Sequence, residues 1–511
     1  MVYNTINERE VINYMPKPDY SKDIFKQLQE LMIKCDNLSH EVKTIEKKTE
    51  KKFKKQIKEM KQQYEEKIEI LENKVKKLEK ENQKLRDDND RLKKIVNNNS
   101  DNSSKPPSSD IKKNIPNNRE KSQQKIGGQK GHKGAGLRKK DIENKIANKE
   151  IEHEVINVGI PKGEFVSKYI IDVEIRTVAK EYRFYKDENG KYNIPKEFQT
   201  DVQYGPELKT MCTALNVDGV VAVNRLTKLV SHISHGKINL SNGTIINFEK
   251  ELNKKVSGVV ETIKNELLNS EMMYTDGTSS RCNNKNICIR NYSTENYTYL
   301  AATMSKSKKC IEETGILPKY TGNLVHDHET VIYNYGNKHI ECNVHVSRYL
   351  KGCFENTGHK WALNMRCFLC TLNEHRKRIK QQGAKEFSKE QLERYLNRCD
   401  EIIQEGYTEN KKIKQKFLRQ EEQKLLNRLK KYKENHTMFL CDFNVPFDNN
   451  LSEREIRHVK TKQKISGYFN NLETCTLYCN IKSVIITLKK QCKDFYDEFY
   501  KLYKNNPVLV S

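Results

Sequence analysis

The chain lacks the features that membrane, secreted and nucleotide-hydrolysing proteins require. No apolar run approaches the roughly 20 residues of a membrane-spanning helix. The amino terminus, MVYNTINEREVINYMPKPDY, has no apolar signal core. The 14 cysteines have none of the dense, regular spacing of a small disulfide framework, and none lies between Cys35 and Cys212. A soluble, cytoplasmic protein with mostly free thiols is therefore expected. No G-x-x-x-x-G-K-[ST] spacing is present, so nothing supports nucleotide hydrolysis.

Acid is scarce relative to base. The formal charge is 94 − 69 = +25 over 511 residues, which favours a polyanionic partner over a neutral small molecule. DNA, RNA and an anionic membrane surface all satisfy that, and an AT-rich genome would also enrich Lys, Asn and Ile. The length suggests roughly three domains.

Composition divides the chain. Residues 21–96 form an expected coiled coil. Leu71, Leu78, Leu85 and Leu92 occupy d positions, with Ile68, Val75, Asn82, Asn89 and Val96 at a. Phe53, Ile57, Met60 and Tyr64 keep a similar spacing upstream, and the step from Tyr64 to Ile68 is a stutter. Two Asn at a positions favour a parallel dimer in one register. A single solvated helix lying on the protein's own surface is the plainer account.

Residues 97–148 are too polar to fold and are expected to be a disordered linker. It contains a glycine-rich strap, KSQQKIGGQKGHKGAGLRKK, with seven cations and no acid. Lys121, Lys125, Lys130, Lys133, Arg138, Lys139 and Lys140 can there follow a phosphate backbone. Short alternating runs over 149–204, with a turn at Asn189-Gly190, predict a small β-rich module. Over 205–268 two short helices flanking Gly236 suit a helix-turn-helix, although any small helical bundle would look similar.

Three acids sit at suggestive places in 269–470. EMMYTDGTSS and GNLVHDHE are apolar runs ending in Asp276 and Asp327, separated by a predicted hairpin (NICIRNYS, NYTYLAATM) and a helical connection. Glu453 opens a charged helix after the turn-rich segment DFNVPFDNN. Helical spacing places Glu453, Ile456, Arg457 and Lys460 on one stripe, whereas Ser452 and Glu455 have capping-box spacing. This order of strands, helices and acids is the layout of a ribonuclease-H-like fold. Two Mg²⁺ or Mn²⁺ ions held by such carboxylates clamp both oxygens of a phosphodiester displacement. Residues 363–440 have the apolar spacing of a helical insertion, and 471–511 that of closing helices. The overall expectation is a multidomain, mainly α protein with an α/β core.

NSSKPPSSD (102–110), GGQKGHKGAG (127–136), LVHDHE (324–329), CNVHVSRYL (342–350) and VPFDNNLSEREIRHVKTKQKISGYF (445–469) closely resemble the large transposase subunit of the insertion sequence sixty-six family. The match runs in order over about four-fifths of the chain. The resemblance implies a DDE DNA transposase that cleaves element ends and joins them to target DNA. It further implies that Asp276, Asp327 and Glu453 form the metal-binding triad and that small accessory proteins act as partners. The family's cysteine zinc module has no counterpart here, so zinc is not an expected cofactor. Cys342-x-x-His345 with Cys367-x-x-Cys370 has zinc-like spacing, but ordinary core or surface residues explain the same letters. Glu329 is the rival to Asp327, and His326 and His328 are expected to support the site or face DNA. A non-catalytic DNA-binding regulator and a decayed element are the alternative functions.

Overall fold

A computed structural model of the chain describes residues 22–103, 105, 110, 138–158, 163–195, 198 and 200–505. They form two compact units, divided between Leu92 and Lys93. Helix is the dominant secondary structure, accompanied by one small mixed sheet.

The first unit is essentially one helix. α1 runs from Lys22 to Asn97 without a break at the stutter. Every seam residue named above for which exposure is a hydrophobic question stays open, with Leu71 59%, Leu78 63% and Leu85 64% exposed. Pairs at i,i+4 such as Lys54–Glu50 (2.6 Å) support this long, exposed helix locally.

Two sequence expectations fail in the second unit. Residues 97–148 are not linker throughout: Asn102 and Ser103 are buried, and Asn102 Nδ2 donates to Glu355 Oε2 at 2.6 Å. Ser100 donates to Asp110 from both its amide and its hydroxyl. Short Asn and Ser side chains bond locally to backbone, so a stretch without apolar residues still builds a fixed turn. Residues 139–147 form a further short helix, α2 (Lys139–Ala147). The β-rich module of 149–204 has no strand among its described residues, only the bridge Lys186↔Tyr192 across the predicted turn, where Gly190 has φ +76°. Its Ile170 and Phe165 are 92% and 87% exposed. Alternation produces a sheet only where one face is covered, and no described residue covers this one.

Then α3 (Pro206–Thr213), continued by a π-helical turn at Ala214–Asp218, packs with α4 (Val223–Ile233) and α5 (Asn242–Lys255) around Leu226, Val230, Ile245 and Phe248. Gly236 makes the turn between α4 and α5 at φ +76°, as the pattern suggested. α6 (Ser257–Leu268) leads into the sheet.

The sheet has the order β3-β2-β1-β4-β5. β1 (Met272–Cys282), β2 (Lys285–Ser293) and β3 (Thr298–Thr303) are an antiparallel meander. After α7 (Lys308–Glu313), β4 (Asn323–His326) and β5 (His339–Glu341) add in parallel to β1. Between β5 and the late charged helix that carries Glu453 lie α8 (Asn343–Thr357), α9 (Lys360–Gln381), α10 (Lys389–Asn410), α11 (Lys416–Lys431) and α12 (Lys433–Cys441). This helical run thus starts before residue 363. α13 (Asn450–Ser466), α14 (Leu472–Lys490) and α15 (Phe495–Tyr503) close the fold. Two apolar cores result. One joins β1–β3 to α6, α14 and α15, and the other gathers Val325 and Ile340 with Trp361, Leu369, Leu426 and Phe439 of the helical run.

Candidate active site

Asp276 is not at a strand end, as the apolar run suggested, but midway along β1, which continues paired to β2. Its other edge explains the placement. The parallel pairing with β4 ends at Tyr274↔Val325, and Asp276 and Asp327 each lie two residues beyond. They therefore fall at one level on strands about 5 Å apart, where β4 has ended and its edge is open.

α13 brings the third acid. Its helix begins at Asn450 with Asn449 as N-cap, and the predicted Ser452–Glu455 capping box does not form. Tertiary partners have taken both residues. Asn291 Nδ2 donates to Ser452 Oγ at 2.8 Å, and Glu455 faces Lys490 of α14 at 3.5 Å. Asn291 is also the cross-strand partner of Asp276. The fully buried Asn449 donates from Nδ2 to Thr275 O (3.0 Å), gives its backbone N–H to Cys342 Sγ (3.3 Å), and accepts the Glu453 amide at its own carbonyl (3.2 Å). Two buried asparagines thus fasten the start of α13 to the residues beside Asp276. The sequence reading missed both; the only signal was the placement of Asn449 in the DNN segment.

The three carboxylates share one electrostatic neighbourhood. Burial, then the Asp327 charge, push Asp276 up to about 7, with Glu453 adding to the rise against the Gly277 amide and Lys306. Asp327 has no hydrogen bond or ion pair among the described residues, and Glu453 Oε1 is buried without a hydrogen-bond partner. Asp276 accepts the Gly277 amide, Asp327 is half-exposed, and the three acids do not form a close group of metal-binding atoms among the described residues. Hard carboxylate oxygens that repel one another are nevertheless the ligand type that divalent cations take.

The residues flanking Asp327 are all tied down. His326 is buried and bonded to His339 (3.2 Å), His328 sits at φ +71° and pairs with Glu341, and Glu329 makes a two-pronged ion pair with Arg290 at 2.7 and 2.9 Å. Glu329 is thereby accounted for as the counter-ion of a buried arginine. A Cβ at Gly277 would stand 3.1 Å from the Arg290 guanidinium, which would have to yield by a few tenths of an ångström. Both histidines support the loop from within.

Cations line the rim. Lys460 Nζ donates to Ser279 O on β1, and burial with the nearby Lys306 holds its pKa down against the pull of Asp276. Lys306 itself donates to Gly277 O at 2.6 Å. Arg457 is exposed on α13, and Ile456 is buried beneath it. Lys306 was not foreseen, because nothing in its surroundings marks it before β1 and the loop after β3 meet. His345 of α8 lies 3.7 Å from Glu453, and burial holds its pKa down despite the pull of Asp327 and Glu453.

The remaining expectations divide. Arg138, Lys139 and Lys140 are exposed at the start of α2, while Lys121, Lys125, Lys130 and Lys133 fall outside the described residues. Cys367 and Cys370 are exposed on α9, and among the described residues they join no metal-binding group with Cys342 and His345.

Comparison with known proteins bears on the same stretch. Residues 26–138 match a family of unknown function, DUF6444. No curated protein matches the chain. Residues 202–476, more than half of the sequence and spanning all three acids and Lys460, match the family described as Transposase IS66 family. The chain belongs to the IS66 transposase family.

Proposed function

We propose that this protein is a DNA transposase of the DDE type, with a ribonuclease-H-like core, that cuts at the ends of its element and joins them to target DNA. The observation that carries the reading is that Asp327 and Glu453 lie close enough to Asp276 to raise its pKa, with Glu453 Oε1 buried and lacking a hydrogen-bond partner. The sheet order, with an antiparallel meander and two parallel strands, supports the fold assignment.

In this reading Asp276, Asp327 and Glu453 hold Mg²⁺ or Mn²⁺, which when bound supplies Lewis-acid stabilisation to an in-line phosphodiester displacement. Lys460 and Lys306 hold the phosphate beside the acids, Lys460 exchanging its bond to Ser279 O for a phosphate oxygen. Asn449 and Asn291 keep Glu453 in register with Asp276. Arg457, Arg138, Lys139 and Lys140, with the lysines at 121, 125, 130 and 133, bind DNA backbone through charge alone. The α4–α5 pair contributes a further DNA contact through Arg225 and Lys228, both exposed on α4. The open leucine seam of α1 pairs two copies in parallel, which brings two element ends together. Small accessory proteins assist assembly.

The test is strand transfer of a labelled element-end duplex into plasmid DNA with Mg²⁺ or Mn²⁺, accessory proteins present. Products should require metal and disappear in Glu453→Gln. Tight end binding without product under either metal would instead favour a regulatory DNA-binding protein.

A further inference from the structure

Beside the acid triad, and sharing one member with it, lies a second set of metal-binding atoms of different chemical character. A sulfur of Cys342, a ring nitrogen of His345 and a carboxylate oxygen of Glu453 all lie within 4.8 Å of one another. The Cys342 side chain is completely buried. His345 Nδ1 and Glu453 Oε1 are buried and lack hydrogen-bond partners, an expensive condition for two polar atoms in one structure. Tetrahedral zinc keeps its ligand atoms about 3.5 Å apart, so closing this cluster takes side-chain shifts of about an ångström. The sulfur already accepts the Asn449 backbone amide, which favours the thiolate a metal needs. Burial works the other way and pushes the free thiol up to about 12.

We propose that Cys342, His345 and Glu453 form a site for a thiophilic divalent cation of the zinc class, and that its occupation switches the protein off by withdrawing Glu453 from the acid triad. Hard and soft cations are thereby separated by ligand type. Mg²⁺ has no use for the sulfur, whereas zinc, held by sulfur and nitrogen, takes one carboxylate from the catalytic set. The switching half rests on the proposed transposase reading; the binding half does not.

The test uses the full-length protein stripped of metal and titrated with Co²⁺, whose thiolate charge-transfer absorption reports a cobalt–sulfur bond. One equivalent should produce the band, Zn²⁺ should abolish it, and Cys342→Ser and His345→Gln should each weaken Zn²⁺ binding by more than ~10-fold, since even outer ligand partners are worth about 10–100-fold. Thermal melts of the metal-free variants establish that they fold. In strand-transfer assays with Mg²⁺, added Zn²⁺ should inhibit the native protein, and Cys342→Ser should resist at least ~10-fold more Zn²⁺, each protein being scaled to its own zinc-free activity. A band unchanged in both variants overturns the site. A Cys342-dependent band with equal inhibition of native and variant overturns the switch. A Cys342-dependent band with no strand transfer under any condition leaves the site standing and removes the transposase reading.

Discussion

Two carboxylate centres, one completely buried at Glu341 and one half-buried at Asp276, Asp327 and Glu453, have opposite character. Glu341, at the end of β5, is fully buried, and Arg428, His328 and Tyr333 bond to it, with His436 3.8 Å away. Those partners hold its carboxyl far below the usual range despite burial. Asp276, with Asp327 and Glu453, has acids where Glu341 has cations, and it is pushed up to about 7. One centre is complete as it stands and braces the loop through His328. The other is crowded by like charge. Partners thus distinguish a carboxylate that is answered within the fold from carboxylates that, on the proposed reading, serve chemistry.

The comparison can be broken most visibly at Asp276. Asp276→Asn should reduce strand transfer by at least ~1,000-fold, because several kcal/mol of transition-state stabilisation go with the metal. The same change should stabilise the metal-free protein by about 1–3 kcal/mol, after allowance for solvent screening, as one repelling charge is gone. A denaturant melt in EDTA beside the activity assay checks both halves, and a destabilised variant would contradict the crowded-acid account.

Glu341→Ala should do the reverse, costing about 3–5 kcal/mol by removing the fully buried partner of the half-buried Arg428. Urea midpoints measure it, and a change below about 1 kcal/mol would mean that solvent reaches the site freely.

A third contrast is in pH. The native value of Asp276 lies above its ordinary 3.8, so between about pH 4 and 7 the native state holds a proton that the unfolded chain has released. Stability from this group is therefore lost as pH rises through that window. The native protein and Asp276→Asn should melt alike near pH 4 and diverge by about 1–3 kcal/mol by pH 7.5 in EDTA. Taking the difference cancels the buried His326 and His436, which are held down to about 3 and 4 and act oppositely.

The smallest effect sharpens the assignment of Glu329. Glu329→Gln should leave Mn²⁺ affinity within about twofold while lowering stability by about 1–3 kcal/mol through Arg290. Calorimetric Mn²⁺ titration decides it, and a tenfold loss would return Glu329 to the metal.

Much of this was legible before any coordinates. The order of β1, the hairpin, β4 and a late acidic helix follows from apolar runs and turn residues, and the long α1 follows from its seam. The β module at 149–204 was misjudged because alternation is local while the covering face it needs is not. The turn at 97–103 was misjudged because its stability comes from side-chain to backbone bonds that composition does not reveal. The capping box failed for a related reason, since Asn291 and Lys490 outcompeted the local partners of Ser452 and Glu455.

By itself, then, the sequence determined the kinds and order of the elements that carry the three acids, the charge and the family motifs, because these rest on neighbours within a few residues. Only the tertiary structure decided which acids are answered and which are not. Arg290 reaches Glu329, Arg428 reaches Glu341 and Lys490 reaches Glu455 across 39, 87 and 35 positions of chain, whereas among the described residues Asp327 has no ion pair. Electrostatic energy depends on distance in space, and that distance is created only when the chain folds.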